Sequence, residues 1–194
     1  MAINQVISSI KVDTGADNGK VPVYNSTTGT FDMTTQNGVY YRNHTAVSNA
    51  GGGTVTVSPT AITAGVIDGT IRSFIEVRFN CAFGAAAETK TFNCTITDGT
   101  NTLSPASTGF TTTATNQNSV VVFRFYRNTA STASGDGSIG IGQGLGTGSL
   151  MRVSATSLVT PATFDWTQSV SISVTGNSTT SNNITLNNVI VTLN

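Results

Sequence analysis

From Ile71 to Phe83 the chain alternates without a break. Ile71, Ser73, Ile75, Val77, Phe79, Cys81 and Phe83 share one parity, and Arg78, Asn80 and Ala82 hold the other. Side chains two residues apart share a face of a strand, so this run reads as a β-strand with one side toward a core. Phe92, Cys94 and Ile96 repeat the pattern shortly afterwards. With a turn centred between Ala87 and Glu88, Phe83 falls opposite Phe92, Cys81 opposite Cys94 and Phe79 opposite Ile96. A slip of one residue would set Phe and Ile against Asn and Thr. The pattern predicts an antiparallel hairpin in which Cys81 and Cys94 are buried neighbours.

The rest of the chain supports the same class. Its 194 residues include 35 Thr, 20 Ser, 18 Asn and 20 Gly, while charged residues make up only 9%. Thr favours strands, and Asn, Ser and Gly favour turns. The usual helix formers are scarce, which nearly rules out an all-helical or α/β protein. Strands are expected over 39–47, 54–58, 71–83, 90–97, 119–126, 150–155, 169–175 and 184–193. Separators are read at 49–53, 98–99, 134–137 and 175–177. About eight strands in ~155 residues suit an all-β, antiparallel two-sheet β-sandwich, with a jelly roll the leading candidate.

Residues 1–37 differ from the 38–194 sandwich. Positions 11–20 are polar and rich in turn formers, Val21-Pro22-Val23-Tyr24 is a strand candidate, 25–30 reads as a turn and Phe31-Asp32-Met33 resumes extension. So few apolar side chains cannot build a core alone. An extended N-terminal arm that becomes ordered by docking is the expectation, with Val21, Val23, Tyr24 and Phe31 as its anchoring side chains.

Two later strands are apolar on both sides. One carries Val121, Phe123 and Phe125 on one face, with Val120, Val122, Arg124 and Tyr126 on the other. The last carries Val189, Val191 and Leu193 against Ile190. A two-layer sandwich buries one face of each sheet, so the second face calls for an arm, a loop or another subunit. Val120, Val122, Tyr126, Val189, Val191 and Leu193 are therefore the expected subunit interface.

Little in the chain points to catalysis. Nine basic side chains balance nine acidic ones, which argues against nucleic acid or an anionic membrane as partner. No apolar run approaches the ~20 residues of a membrane-spanning helix. Residues 1–5 lack the start of a secretory signal, so synthesis in the cytoplasm is expected. Gly135-Asp136-Gly137-Ser138-Ile139-Gly140 satisfies the G-x-G-x-x-G pattern, but glycines at every second residue then run on to Gly148. A dinucleotide site needs a helix there, and such glycines oppose one. A loop or a thin strand where backbones approach closely is the better reading.

Opposed Cys81 and Cys94 would lie within disulfide reach, whereas a reducing compartment favours two core-packed thiols. Asp68, Asp98 and Asp136 each precede Gly, which is turn chemistry. Asp98, Asn101 and Asp136 are weighed as a loop calcium set, and paired carboxylates, with Asp165 among the candidates, as a glycosidase pair. Exposed Tyr40, Tyr41 and Trp166 would suit stacking on sugar rings, against interior packing as the plainer alternative. No cofactor, metal or catalytic residue is expected.

The segment Gly19-Lys20-Val21-Pro22-Val23-Tyr24-Asn25-Ser26-Thr27-Thr28-Gly29-Thr30-Phe31 resembles a phrase near the start of tailed-phage fibre and decoration proteins, where a hairpin precedes a trimeric β-domain. The Thr/Ser/Asn/Gly-rich body is similar to head-fibre and receptor-binding domains with a tumour-necrosis-factor-like jelly roll. The resemblance implies a non-enzymatic virion surface protein. It would form a homotrimer, contact other virion proteins through its arm and attach to host surface carbohydrate. The alternatives are a carbohydrate-binding module or polysaccharide-degrading enzyme on a sandwich, and a surface-layer or pilus-like subunit.

Overall fold

The structure is a computed structural model that describes residues 20–25, 30–35, 38–49, 51, 53–70, 72–83, 88–105, 110–112, 116–141, 151–153, 159–178 and 184–194. Its strands are β1 (Lys20–Asn25), β2 (Thr30–Thr35), β3 (Gly38–Asn43), β4 (Val47–Asn49), β5 (Gly53–Val57), β6 (Phe74–Phe83), β7 (Glu88–Thr97), β8 (Thr102–Leu103), β9 (Phe110–Thr112), β10 (Asn116–Thr129), β11 (Thr132–Ile141), β12 (Met151–Val153), β13 (Val159–Thr163), β14 (Ser171–Ser178) and β15 (Ile184–Leu193). The chain divides into two compact units, Met1–Asn37 and Gly38–Asn194.

In the first unit β1 and β2 form a two-stranded antiparallel sheet with Tyr24 opposite Phe31, Val23 opposite Asp32 and Pro22 opposite Met33. Both strands are edges, the setting in which a residue without an N–H is tolerated. The anchoring role expected of Val21, Val23, Tyr24 and Phe31 concerns side chains outside the described part of the structure.

The second unit is all-β, with two antiparallel sheets forming a sandwich. The larger has the order β12-β11-β10-β6-β15-β3, with β13 on β11 and β4 on β15. The smaller has the order β5-β14-β7-β8, with β9 on β7. Strict alternation drives Ile75, Val77, Phe79, Cys81 and Phe83 of β6 inward, together with Val121, Phe123 and Phe125 of β10. From the smaller sheet come Val55, Val57, Phe92, Cys94, Ile96, Ile172 and Val174. The sheets meet at Phe79 and Phe92, whose ring centroids are 6.2 Å apart, and Phe79 stacks on Phe123 at 6.3 Å.

The expected β6–β7 hairpin is absent. The two strands lie in different sheets: β6 pairs with β10 and β15, and β7 pairs with β14, β8 and β9. Cys81 stands opposite Ser119 and Leu186, and Cys94 opposite Val174. Both are buried free thiols. Matching parity identifies two inward faces, and inward faces match equally well across a sandwich as along a ladder. The centre expected for the turn, at 87–88, falls partly outside the described residues.

Two expected separators are strand interior instead. Thr175-Gly176-Asn177 belongs to β14, and 134–137 belongs to β11, which pairs with β10 from Val120 opposite Gly140 to Phe125 opposite Gly135. The G-x-G-x-x-G segment is thus a thin strand, and the glycines let neighbours in. A Cβ on Gly137 would lie 2.6 Å from Phe123 Cε1, and one on Gly135 2.8 Å from Pro105 Cγ. The further glycines from 142 to 148 lie outside the described residues.

The last strand corrects the two-sided reading. A bulge displaces its register between Asn187 and Ile190, and Asn188 takes φ 51°, the left-handed region that Asn tolerates better than most residues. This extra residue switches parity, so Ile184 and Leu186 before it face the core together with Val189, Val191 and Leu193 after it. Those last three side chains belong to the chain's own core and offer nothing to a subunit interface. Only Ile190 of the apolar set points outward.

Gly137→Ala is expected to destabilise the sandwich by about 1–3 kcal/mol, because the new methyl meets the Phe123 ring, which is stacked on Phe79 and fully buried. The outward-facing Ser138→Ala should change stability by less than about 0.5 kcal/mol. Urea denaturation of both variants checks the contrast, and equal midpoints would refute the close-approach account.

Candidate functional site

The outer face of the larger sheet carries side chains in an ordered arrangement. Its alternate positions form rows across the strands. One row runs Asp136, Arg124, Glu76, Thr192, and the next runs Ser138, Val122, Arg78, Ile190, Arg42. Arg124 Nε donates to Glu76 Oε2 at 2.9 Å, and its guanidinium lies 4.0 Å from Asp136 Oδ1. Tyr126 donates its hydroxyl to Asp136 Oδ2 at 3.0 Å. The Tyr126 ring in turn lies 5.7 Å from that of Phe74. Burial pushes the Tyr126 pKa up, and the bond to Asp136 pushes it the same way. For Arg124, burial works against the charge, but the bond and charge of Glu76 outweigh it and raise the pKa.

A second constellation lies in loops. Asp98 follows β7 directly and is buried at 7% exposure. Its Oδ1 accepts the N–H groups of Thr100 and Asn101 at 2.8 and 2.6 Å. Its Oδ2 accepts Asn101 Nδ2 at 2.9 Å and the N–H of Asp165 at 2.7 Å. Burial alone would raise its pKa, but these bonds, led by that from Asp165, win and hold the carboxyl far below the usual carboxylate range. Asp165 accepts the hydroxyl and N–H of Thr167 and the amide of Gln168, and its pKa is lowered in turn. Asp98, Gly99, Thr100, Asn101, Asp165 and Gln168 line an open polar pocket of about 400 Å³.

This arrangement does not suit the glycosidase reading for that pair. Such chemistry needs one carboxyl with a raised pKa to act as acid, and here both are lowered. The calcium set is not assembled, since Asp136 sits on the outer sheet face beside Arg124 and Tyr126. Among the described residues no group of three or more His, Cys, Asp or Glu is placed to hold a metal. Asp68 and Asp98 do act as turn residues: Asp68 accepts the N–H groups of Thr70 and Arg72, and the following Gly69 and Gly99 have φ of 79° and 95°.

The aromatic candidates fare unevenly. Trp166 is 1% exposed, packs 4.7 Å from Phe164 and donates Nε1–H to Thr132 O. It seals the core end and has no face free for a sugar. Tyr40 and Tyr41 are half-buried against the core, and the Tyr40 hydroxyl is held by Ala61 O at 2.8 Å. Val120, Val122 and Tyr126 do lie on the outer face. One residue escaped the sequence reading altogether: Lys90 is fully buried, with Nζ 5.6 Å from the centre of the Phe83 ring. Its parity with Phe92, Cys94 and Ile96 was the available signal.

Two outcomes follow from this geometry. Asp98→Asn places an N–H donor where two donors already point, and should cost about 2 kcal/mol at neutral pH. The folded pKa of Asp98 lies below its unfolded value of about 3.9. Its stabilisation is therefore present above about pH 4 and is lost as pH falls toward the folded value. Urea midpoints measured between pH 7 and pH 2 should fall less steeply for the Asn variant, and parallel curves would refute the assignment. Burial also pushes both cysteine thiols far up, so neither should react with a thiol-specific disulfide reagent until the chain is unfolded in urea. Rapid labelling of either in buffer would contradict their placement.

Comparison with protein-family models, with curated proteins and with solved structures finds no match for this chain.

Proposed function

We propose that the chain is a structural protein of a virion surface, whose N-terminal unit attaches it to the particle and whose body projects outward as a decoration. The carrying observation is the fold of the segment that resembles the phage fibre phrase. Lys20–Asn25 and Thr30–Thr35 pair as a hairpin with Tyr24 opposite Phe31, in a compact unit separate from the body. A lone hairpin is marginal in water, so a docked role is the natural one for it.

The strand order supports reading the body as a jelly roll. One sheet holds β3-β15-β6-β10 and the other β5-β14-β7-β8, and the chain passes repeatedly between them. Viral capsid domains are among those built on this architecture, as are lectins and cupins. The host-glycan part of the reading draws no support from Trp166, which is core, so decoration is the stronger half of the proposal.

The test uses a tagged chain expressed in its native source. The full chain should co-sediment with particles of megadalton mass. A variant lacking residues 1–37 should stay in the supernatant while keeping the β-sheet circular dichroism of the body. Full-length protein that never sediments, or a truncated variant that sediments equally well, overturns the proposal.

A further inference from the structure

We propose that the outer face of the larger sheet is a self-complementary surface that binds a second copy of this chain in a twofold, face-to-face pair. This inference does not depend on the virion reading. It rests on the order of side chains along the rows.

Four outward rows cross the central strands. Tyr126 and Phe74 form the first, and Asp136, Arg124, Glu76 and Thr192 the second. Ser138, Val122, Arg78 and Ile190 form the third, and Val120, Asn80 and Asn187 the fourth. Consider a twofold axis in the plane of this face, perpendicular to the strands and midway between the second and third rows. It sets each strand against itself, reversed, and so sets the second row against the third.

The matches are specific. Glu76 of one copy meets Arg78 of the other, and Arg78 meets Glu76, as an isologous contact requires. The aliphatic stem of Arg124 covers Val122, and Thr192 covers Ile190. The outer rows also meet, so Tyr126 covers Val120. No like charges are opposed in this alignment. Sheets stacked in this way cross at about −30°, so the match is closest for the Glu76–Arg78 pairs on the central strand β6 and loosens toward the outer strands.

Size and rigidity agree with this occupant. Four strands ~4.8 Å apart and four rows ~6.8 Å apart span roughly 500 Å² in projection. Counted on both copies that is about 1,000 Å², the lower end for a specific interface. The face is also ordered in advance, since Arg124 is held by Glu76 and Tyr126 by Asp136. Little side-chain freedom is left to lose on association. The resemblance to fibre proteins alone argued for a threefold ring, whereas these rows call for a pair.

Sedimentation of the full chain at tens of micromolar tests the proposal. The wild type should be a dimer. Arg78→Glu and Ile190→Asp should each weaken association at least tenfold, with unchanged circular dichroism. Adding Glu76→Arg to Arg78→Glu restores opposite charges across the axis and should recover most of the affinity lost by Arg78→Glu alone. Should the double variant fold poorly beside Arg124, the Ile190→Asp result decides. A wild-type monomer or trimer, an Ile190→Asp variant that still dimerises, or a well-folded double variant without recovery overturns the proposal.

Discussion

Phe79 is where the two layers of the body are joined. Its ring packs across the sandwich on Phe92 and along its own sheet on Phe123, and Phe83 extends the cluster through Phe92 at 6.4 Å. Each ring removes ~150–250 Å² from water. The neighbouring strand must therefore make room for this cluster. Gly137 supplies that room, since any side chain there would occupy the volume of the Phe123 ring. The glycines of β11 are thus the counterpart of the phenylalanines of β10: bulk on one strand is matched by its absence on the next.

The end of the sandwich is closed by polar rather than apolar contacts. Asp98 hangs from the smaller sheet and takes the N–H of Asp165, which follows the β13 strand of the larger one. Residues Phe164 and Trp166 on either side are tied to the β10–β11 turn by N–H bonds to Ser131 O and Ala130 O. One ionised side chain satisfies four donors and links loops of both sheets. Such a charge-assisted set is strong because every member is a fixed donor and the acceptor is seldom protonated. That explains why the two carboxylates in this pocket read as structure rather than as an acid–base pair.

The strand faces were legible because alternation needs only the residues themselves. Ile75 to Phe83, Phe92 to Ile96 and Val121 to Phe125 all point inward as their parity requires. Lateral neighbours were not legible, since period two carries no information about which strand lies alongside. The β11 strand was legible only as a choice between a loop and a thin strand, because glycine has no side chain to alternate. The Asp98 clamp was half visible: the Asp-Gly turn has a sequence signature, but the N–H of Asp165 that completes it belongs to the backbone and has none. For Trp166, which follows Pro161-Ala162-Thr163-Phe164-Asp165, the residues left both interior packing and an exposed sugar-stacking face open, with interior packing the plainer reading. Its burial depends on a Thr132 carbonyl brought near only by the fold.

The outer face of the larger sheet follows from one extra residue. Without the bulge at Asn188, Ile184 and Leu186 would share a side with Ile190, and Val189, Val191 and Leu193 would point to the other. Half of the last strand's apolar residues would then face water whichever way it turned. Inserting Asn188 with φ 51° lets both halves face the core. The outside is left with Thr185, Asn187, Ile190 and Thr192, a mostly polar strand beside the charged and aromatic ones of β6 and β10. The surface that remains is therefore mixed rather than greasy. On such a surface specificity comes from the order of charges along the rows, because no large apolar patch dictates which way a second sheet should lie.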